Sequence, residues 1–145
     1  MVSRVNIYLN FNGNCKDAFS FYEKVFRTRL AYSTTYGDQE EMKAEITNKE
    51  NLDKILHCYL SISDKTSLMG SDIIEETGEQ IIKKGNNVII TLVPDSEEET
   101  RRIFSELSAG GKILMPLEKT FWNSLYAMVK DKFGINWMVD YSYEK

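Results

Sequence analysis

Residues 5–26 read VNIYLNFNGNCKDAFSFYEKVF, and the fold of the chain follows from how that stretch divides. Its first seven residues alternate, with Val5, Ile7, Leu9 and Phe11 on one side and Asn6, Tyr8 and Asn10 on the other. That is the pattern of a strand with one buried face. Gly13-Asn14 breaks it; Asn14 suits a helix N-cap and Asp17 a first-turn acid. Ala18, Phe19, Tyr22, Val25 and Phe26 then fall at helical spacing, one apolar stripe that must pack on something. A strand turned to bulk water usually carries charge outward, whereas this one shows amides and a phenol. What such an uncharged polar face looks at is the question the sequence raises.

The 145 residues suit one domain with a real core, and 42% hydrophobic and 28% charged residues fit an ordinary soluble protein. A net charge of −4 without a basic patch argues against nucleic acid or an anionic membrane as partner. The apolar runs are too short for a membrane span, and MVSRVNIYLNF lacks the apolar core of a signal peptide. Two cysteines, Cys15 and Cys58, make no disulfide framework, so a reduced, cytoplasmic chain is expected.

Residues 30–37, LAYSTTYG, predict a strand; 38–54 are charged and loop-like, with room for a short helical turn; ILHCYLSI (55–62) and SLMGS (67–71) predict two more strands around a turn. The order then repeats. NVIITLVPD (87–95) predicts a strand, and 96–111 a helix with a Ser96/Glu99 capping box and a Gly110-Gly111 stop. KILMPL, LYAMVKD and INWMVDYS predict the last three strands. The turns in DKTSLMGSD (64–72) and DKFGINWMVD (131–140) match, setting Met69 opposite Met138. Asn6, Tyr8 and Asn10 then stand opposite Asn87, Ile89 and Thr91. The organisation is α+β: one domain, 1–145, of module one (1–72), a linker (73–86) and module two (87–145).

Four motifs in order, YLNFNGNCKDAFSFYEKVF, LHCYLSI followed by SLMGSD, GGKILMPLEKTFWN and DKFGINWMVDY, carry a resemblance that spans nearly the whole chain. The sequence resembles the vicinal oxygen chelate superfamily, the glyoxalase/bleomycin-resistance fold, and within it the PhnB-like branch. That resemblance implies two tandem βαβββ modules whose curved sheets enclose a cleft, helices outside, and a homodimer. The polar face of the first strand would look into the cleft. By alternation His57, Tyr59 and Ser61 share one face of their strand, and Asn136, Met138 and Asp140 one face of the last.

Metal-using members of the superfamily bind through His and Glu, near the start of each first strand and within each last strand. The matching positions here are Asn6 or Ile7, Met69, Asn87 or Val88, and Met138, none of them His, Asp or Glu. Amide oxygen and thioether are poor ligands for zinc or iron, so no metal and no cofactor are expected. His57, the one histidine, is of the residue type that can act as a general base, but no orienting carboxylate can be read beside it. Cys15 at a first helical turn is either a reactive thiolate or a small buried hydrophobe; Cys58 alternates onto the apolar face. Phe121, Trp122 and Tyr126 can stack on a planar ligand, and Met69 and Met138 can give it an adaptable floor.

Proteins resembling this one often bear the name demethylubiquinone methyltransferase, yet no glycine-rich turn follows a strand here to cradle S-adenosylmethionine. The expectation is a metal-free protein that binds a small organic molecule through Tyr8, Asn10, His57, Tyr59, Met69, Phe121, Trp122, Tyr126 and Met138. The alternative is an enzyme (lyase, isomerase or dioxygenase) with a divergent metal site or His57 as base. A structural dimer with a filled cleft is the third reading.

Overall fold

The computed structural model describes residues 1–78 and 81–144. The chain is α+β and divides into two compact units, Met1–Lys83 and Lys84–Lys145, each built on a four-stranded sheet. The first unit runs β1 (Ile7–Phe11), α1 (Cys15–Phe26), β2 (Tyr32–Thr35), α2 (Glu40–Glu45), β3 (Ile55–Ser61) and β4 (Ser67–Asp72). Its strand order is β1-β4-β3-β2, with β1 parallel to β4 and the other pairs antiparallel. The second unit runs β5 (Ile90–Leu92), α3 (Glu97–Ser108), β6 (Lys112–Lys119), β7 (Ser124–Lys130) and β8 (Asn136–Ser142). Its order, β5-β8-β7-β6, repeats the first with the same parallel pair. The βαβββ duplication expected from the sequence is the architecture observed.

Several boundaries differ for physical reasons. Strand β1 begins at Ile7, leaving Val5 exposed. Residues 38–54, expected as a loop with a short helical turn, hold more helix than that: α2 and a 3₁₀ turn over Lys49–Asp53. The strand expected over 87–95 narrows to Ile90–Leu92, an edge strand that pairs with β8 alone and meets Pro94, which has no N–H to donate. The linker expected over 73–86, with a short helical piece, has one in the 3₁₀ turn Glu75–Thr77; its residues 79 and 80 lie outside the described residues.

Register corrects the internal alignment as well. Tyr8 lies beside Met69 and Thr91 beside Met138, so the counterpart of Tyr8 is Thr91 and not Ile89. The slip is an even number of residues. Side chains alternate with period two, so every face assignment survives it.

Helix α1 buries Cys15, Ala18, Phe19, Tyr22 and Val25 against the sheet. Its seat is Gly70 on β4: a Cβ there would stand 2.8 Å from Phe19 Cζ and 3.3 Å from Cys15 Sγ. The helix start is not capped by Asn14, whose side chain makes no cap bond. Asp72 replaces it from the far end of β4. Its Oδ1 accepts from the backbone N–H of Gly13 (3.0 Å) and Cys15 (2.9 Å), and its Oδ2 from Ile55 N–H (2.9 Å). The Tyr36 hydroxyl donates to the Asp72 carbonyl at 2.9 Å. This carboxylate is buried, and its charge is met by three backbone donors, which is what makes the burial tolerable.

In the second unit Ser96 caps α3 by accepting from Glu99 N–H at 3.1 Å. Ile103 and Leu107 of the helix are buried, as are Leu125, Ala127 and Val129 of β7 and Trp137 and Val139 of β8, the strands on which α3 packs. Asp131 ties the β7–β8 turn, accepting from Phe133 N–H (2.9 Å), Ile135 N–H (3.0 Å) and the Trp137 indole (2.8 Å).

Replacing Gly70 with alanine drives a methyl group into the trapped Phe19 ring, so Gly70→Ala should cost about 1–3 kcal/mol of stability. Urea unfolding checks it: the midpoint falls while the slope holds. An unchanged midpoint would mean the helix does not sit on β4 as closely as described.

Candidate functional site

With α1 covering one face of the first sheet, the other face is set by alternation. Across all four strands one row reads Tyr8, Met69, Tyr59 and Tyr32 through paired registers. The next row brings Asn10 beside Ser71 and His57 beside Thr34. The rows are knitted by side chains. The Tyr8 and His57 rings stack with centroids 5.7 Å apart and planes at 26°, and Tyr32 approaches His57 at 6.2 Å. The Tyr8 hydroxyl to His57 Nδ1 distance, 3.5 Å, is at the outer limit of a hydrogen bond, so stacking holds that pair. Ser71 Oγ donates to Asn10 Oδ1 at 3.3 Å, and Gln39 Nε2 to Thr34 Oγ1 at 3.1 Å.

Beside His57 and Tyr32 the face opens into a groove of about 690 Å³, also walled by Thr34, Gln39, Met42 and Leu56. Asp38, Glu40 and Glu41 line it too. The volume is that of a small-molecule site. The Tyr59 phenol is held below its usual pKa, first by a hydrogen bond from Ser67 and then by Arg4. Both stabilise the oxygen's negative charge.

Five of the residues expected to bind, Tyr8, Asn10, His57, Tyr59 and Met69, thus share one face of the first unit. The other four lie in the second unit. Tyr126 pairs with Asp140, and Met138 with Met128, which is itself opposite Met115, on the face away from α3. Burial, and after it the Asp140 charge, pushes the Tyr126 hydroxyl's pKa up. Phe121 and Trp122 occupy the β6–β7 turn, edge to face at 4.8 Å, with Trp122 edge to face on Tyr126 at 6.0 Å. Phe121 is almost fully exposed.

Tyr32, Thr34 and Gln39 of the first unit also line the groove, and local pattern does not point to them. Tyr32 sits in a short strand whose four residues show no clean alternation, and only its pairing with Tyr59 places it. Nor does local pattern point to Arg4, which lies ahead of the strand and is positioned by residues far along the chain.

Cys15 and Cys58 meet in the core with sulfurs 3.8 Å apart, both buried. The hydrogen bond with Cys58, and next to it burial, pushes the Cys15 thiol's pKa far up. Of the two readings of Cys15, the small buried hydrophobe holds; the helix start offers its N–H to Asp72 and not to a thiolate.

Residues 3–140 match the family described as 3-demethylubiquinone-9 3-methyltransferase. The chain is 34% identical to Protein YjdN of Escherichia coli (strain K12) over 143 residues, 92% of this chain and 91% of that one. The crystal structure of PA1353 from Pseudomonas aeruginosa superposes with a TM-score of 0.83 at 33% identity, over 97% of this chain and 98% of that one. The PhnB protein of Bacillus cereus gives a TM-score of 0.76 at 18% identity, over 97% and 100% of the two chains, and shares the fold.

The metal that the superfamily resemblance implies does not fit these residues. On either alignment of the halves, the candidate positions are Asn6, Ile7 or Tyr8 with Met69, and Asn87, Val88 or Thr91 with Met138. None carries imidazole or carboxylate. Among the described residues no three His, Cys, Asp or Glu side chains come together as a metal site. Titration of the untagged protein with Zn²⁺, Mn²⁺ or Fe²⁺ should therefore show no stoichiometric binding tighter than about 10 μM, and no rise in melting temperature. A bound ion at one per chain by elemental analysis would overturn this.

Proposed function

The chain belongs to the 3-demethylubiquinone-9 3-methyltransferase family and has the fold of the PhnB protein and of a glyoxalase/bleomycin-resistance domain, and from that premise we propose that it is a PhnB-like member of the vicinal oxygen chelate superfamily and a cytoplasmic, metal-free binder of a small organic molecule. The observation that carries the reading is the open face of the first sheet: Tyr8, Met69, Tyr59 and Tyr32 in one row, with His57 stacked on Tyr8 at the edge of a groove of about 690 Å³. Aromatic rings and a thioether offer a planar apolar body a large contact, while Asn10, Thr34 and Gln39 offer amide and hydroxyl groups to orient it. One buried aromatic ring contributes about 2–3 kcal/mol at 25 cal/mol per Å². Micromolar affinity needs about 8 kcal/mol, so the polar groups must contribute as well.

Methyl transfer, the activity in the family's description, is not part of the proposal. The β1–α1 turn has a single glycine, Gly13, and the β5–α3 turn has none, so neither is the glycine-rich strand-to-helix turn that holds a nucleotide in doubly wound folds. An enzyme remains the second reading because His57 borders the groove, where it can reach a substrate proton. Against it, the one hydrogen-bond contact of His57 among the described residues is the Tyr8 phenol, so no carboxylate orients the ring.

A homodimer belongs to the same proposal. Strand β6 is an edge strand exposed along nearly its whole length, including Ile113, Leu114 and Met115, an apolar surface that a second copy would cover. Sedimentation of the chain as a monomer at tens of micromolar would remove that part.

Thermal-shift screening followed by isothermal titration against aromatic metabolites and glycopeptide antibiotics tests the binding. A ligand found there should lose about 5- to 30-fold in affinity on Tyr8→Ala or His57→Ala, the equivalent of about 1–2 kcal/mol. Silence across the library, or full affinity in both variants, would sink the reading.

A further inference from the structure

Arg4 stands at the end of the open face where β4 begins. Its Nη2 donates to Ser67 Oγ at 2.8 Å and to the Tyr59 phenol oxygen at 3.2 Å, and its Nε donates to Asn6 Oδ1 at 3.0 Å. Ser67 is fully buried and Tyr59 stands in the β3 ladder, so two of the three acceptors that hold the guanidinium belong to the sheet. All three acceptors are neutral side chains. The ion pairs of the described residues lie on α3, and none involves Arg4. A guanidinium has five N–H donors; these bonds use the two on Nη2 and the one on Nε. The two on Nη1 have no partner among the described residues, and Arg4 is exposed. A cation fixed in place, with a pair of donors left over and no counter-charge, is unusual on a chain whose net charge is −4.

From this geometry, and resting on the binding proposed above, we infer that Arg4 is the anion subsite of this face and that the ligand is an organic anion. A carboxylate or phosphoryl group would take the Nη1 donors, and a planar apolar body would lie along Tyr8 and Met69. The spacing suits such a molecule. Ser67, which anchors Arg4, is two residues along β4 from Met69, a step of about 6.8 Å, so the anion would be joined to the ring directly or through one or two atoms. Charge fixes the direction in which the ligand lies. Asp38, Glu40 and Glu41 line the groove beyond His57 and Tyr32 and repel an anion from that end. Arg4 holds it at the other.

The test is a set of ¹⁵N–¹H NMR titrations of the full chain with phenylphosphonate, benzoate and the neutral benzyl alcohol, repeated on Arg4→Gln and Arg4→Lys. In the wild type both anions should bind at least about 10-fold tighter than benzyl alcohol, shifting the amides of residues 4–10, 57–59 and 67–71. Arg4→Gln should erase that preference while leaving benzyl alcohol unchanged, and Arg4→Lys, which keeps charge but loses the planar fork, should retain part of it. Added salt should narrow the preference in the wild type alone. Should Arg4→Gln unfold, the Arg4→Lys comparison decides. Equal binding of anions and alcohol by the wild type, or a preference that survives Arg4→Gln, overturns the anion subsite and leaves the binding face standing. No response to any probe overturns both.

Discussion

Phe19 lies against Gly70 because that one position on β4 has no side chain, and the parity of the strand follows from the contact. With Leu68 and Gly70 turned to the helix, Ser67, Met69 and Ser71 must turn the other way. Pairing then carries the choice across the sheet: Met69 fixes Tyr8 on one side and Tyr59 on the other, and Tyr59 fixes Tyr32. The chemistry of the open face is therefore settled by packing on the covered one.

The two units repeat one plan and fill it with different chemistry. In both, a parallel first strand lies beside a methionine of the last, Tyr8 beside Met69 and Thr91 beside Met138. The first unit surrounds its methionine with phenols, an imidazole and a clamped guanidinium. The second surrounds its own with two more methionines and, one row on, a Tyr126–Asp140 pair. Buried acceptors, Asn136 Oδ1 and Asp140 Oδ1, are left there without a hydrogen-bond partner among the described residues. Duplication has preserved the backbone plan while the side chains on the two open faces have diverged.

What could be read from the sequence was what depends on local periodicity. The alternation of residues 5–11, the helical stripe of α1 and the Ser96 cap of α3 are short-range patterns, and each corresponds to an observed element. What escaped depends on partners far along the chain. Asn14 looked like the cap of α1, but Asp72 supplies that bond after the chain has passed through three more strands. Arg4 precedes the strand and gains meaning only from Ser67 and Tyr59. The face shared by Tyr8, Asn10, His57, Tyr59 and Met69 was legible because alternation survives errors of register by an even number of residues, which is also why the Ile89-for-Thr91 slip did no harm. The placement of Phe121, Trp122, Tyr126 and Met138 in the second unit was legible too, from the repeated element order, but their contacts were not: the edge-to-face packing of Trp122 on Tyr126 depends on the geometry of the β6–β7 turn, which alternation does not describe.

Asp72 gives the first unit a mechanical property that no single element has. One carboxylate receives the loop after β1, the first turn of α1 and the entry to β3, while its own carbonyl receives Tyr36. None of these segments can fray alone, because releasing any one strips a buried charge of part of its solvation. The amides of Gly13, Cys15 and Ile55 should thus exchange with solvent as a set, in one cooperative opening, even though they belong to three different pieces of chain.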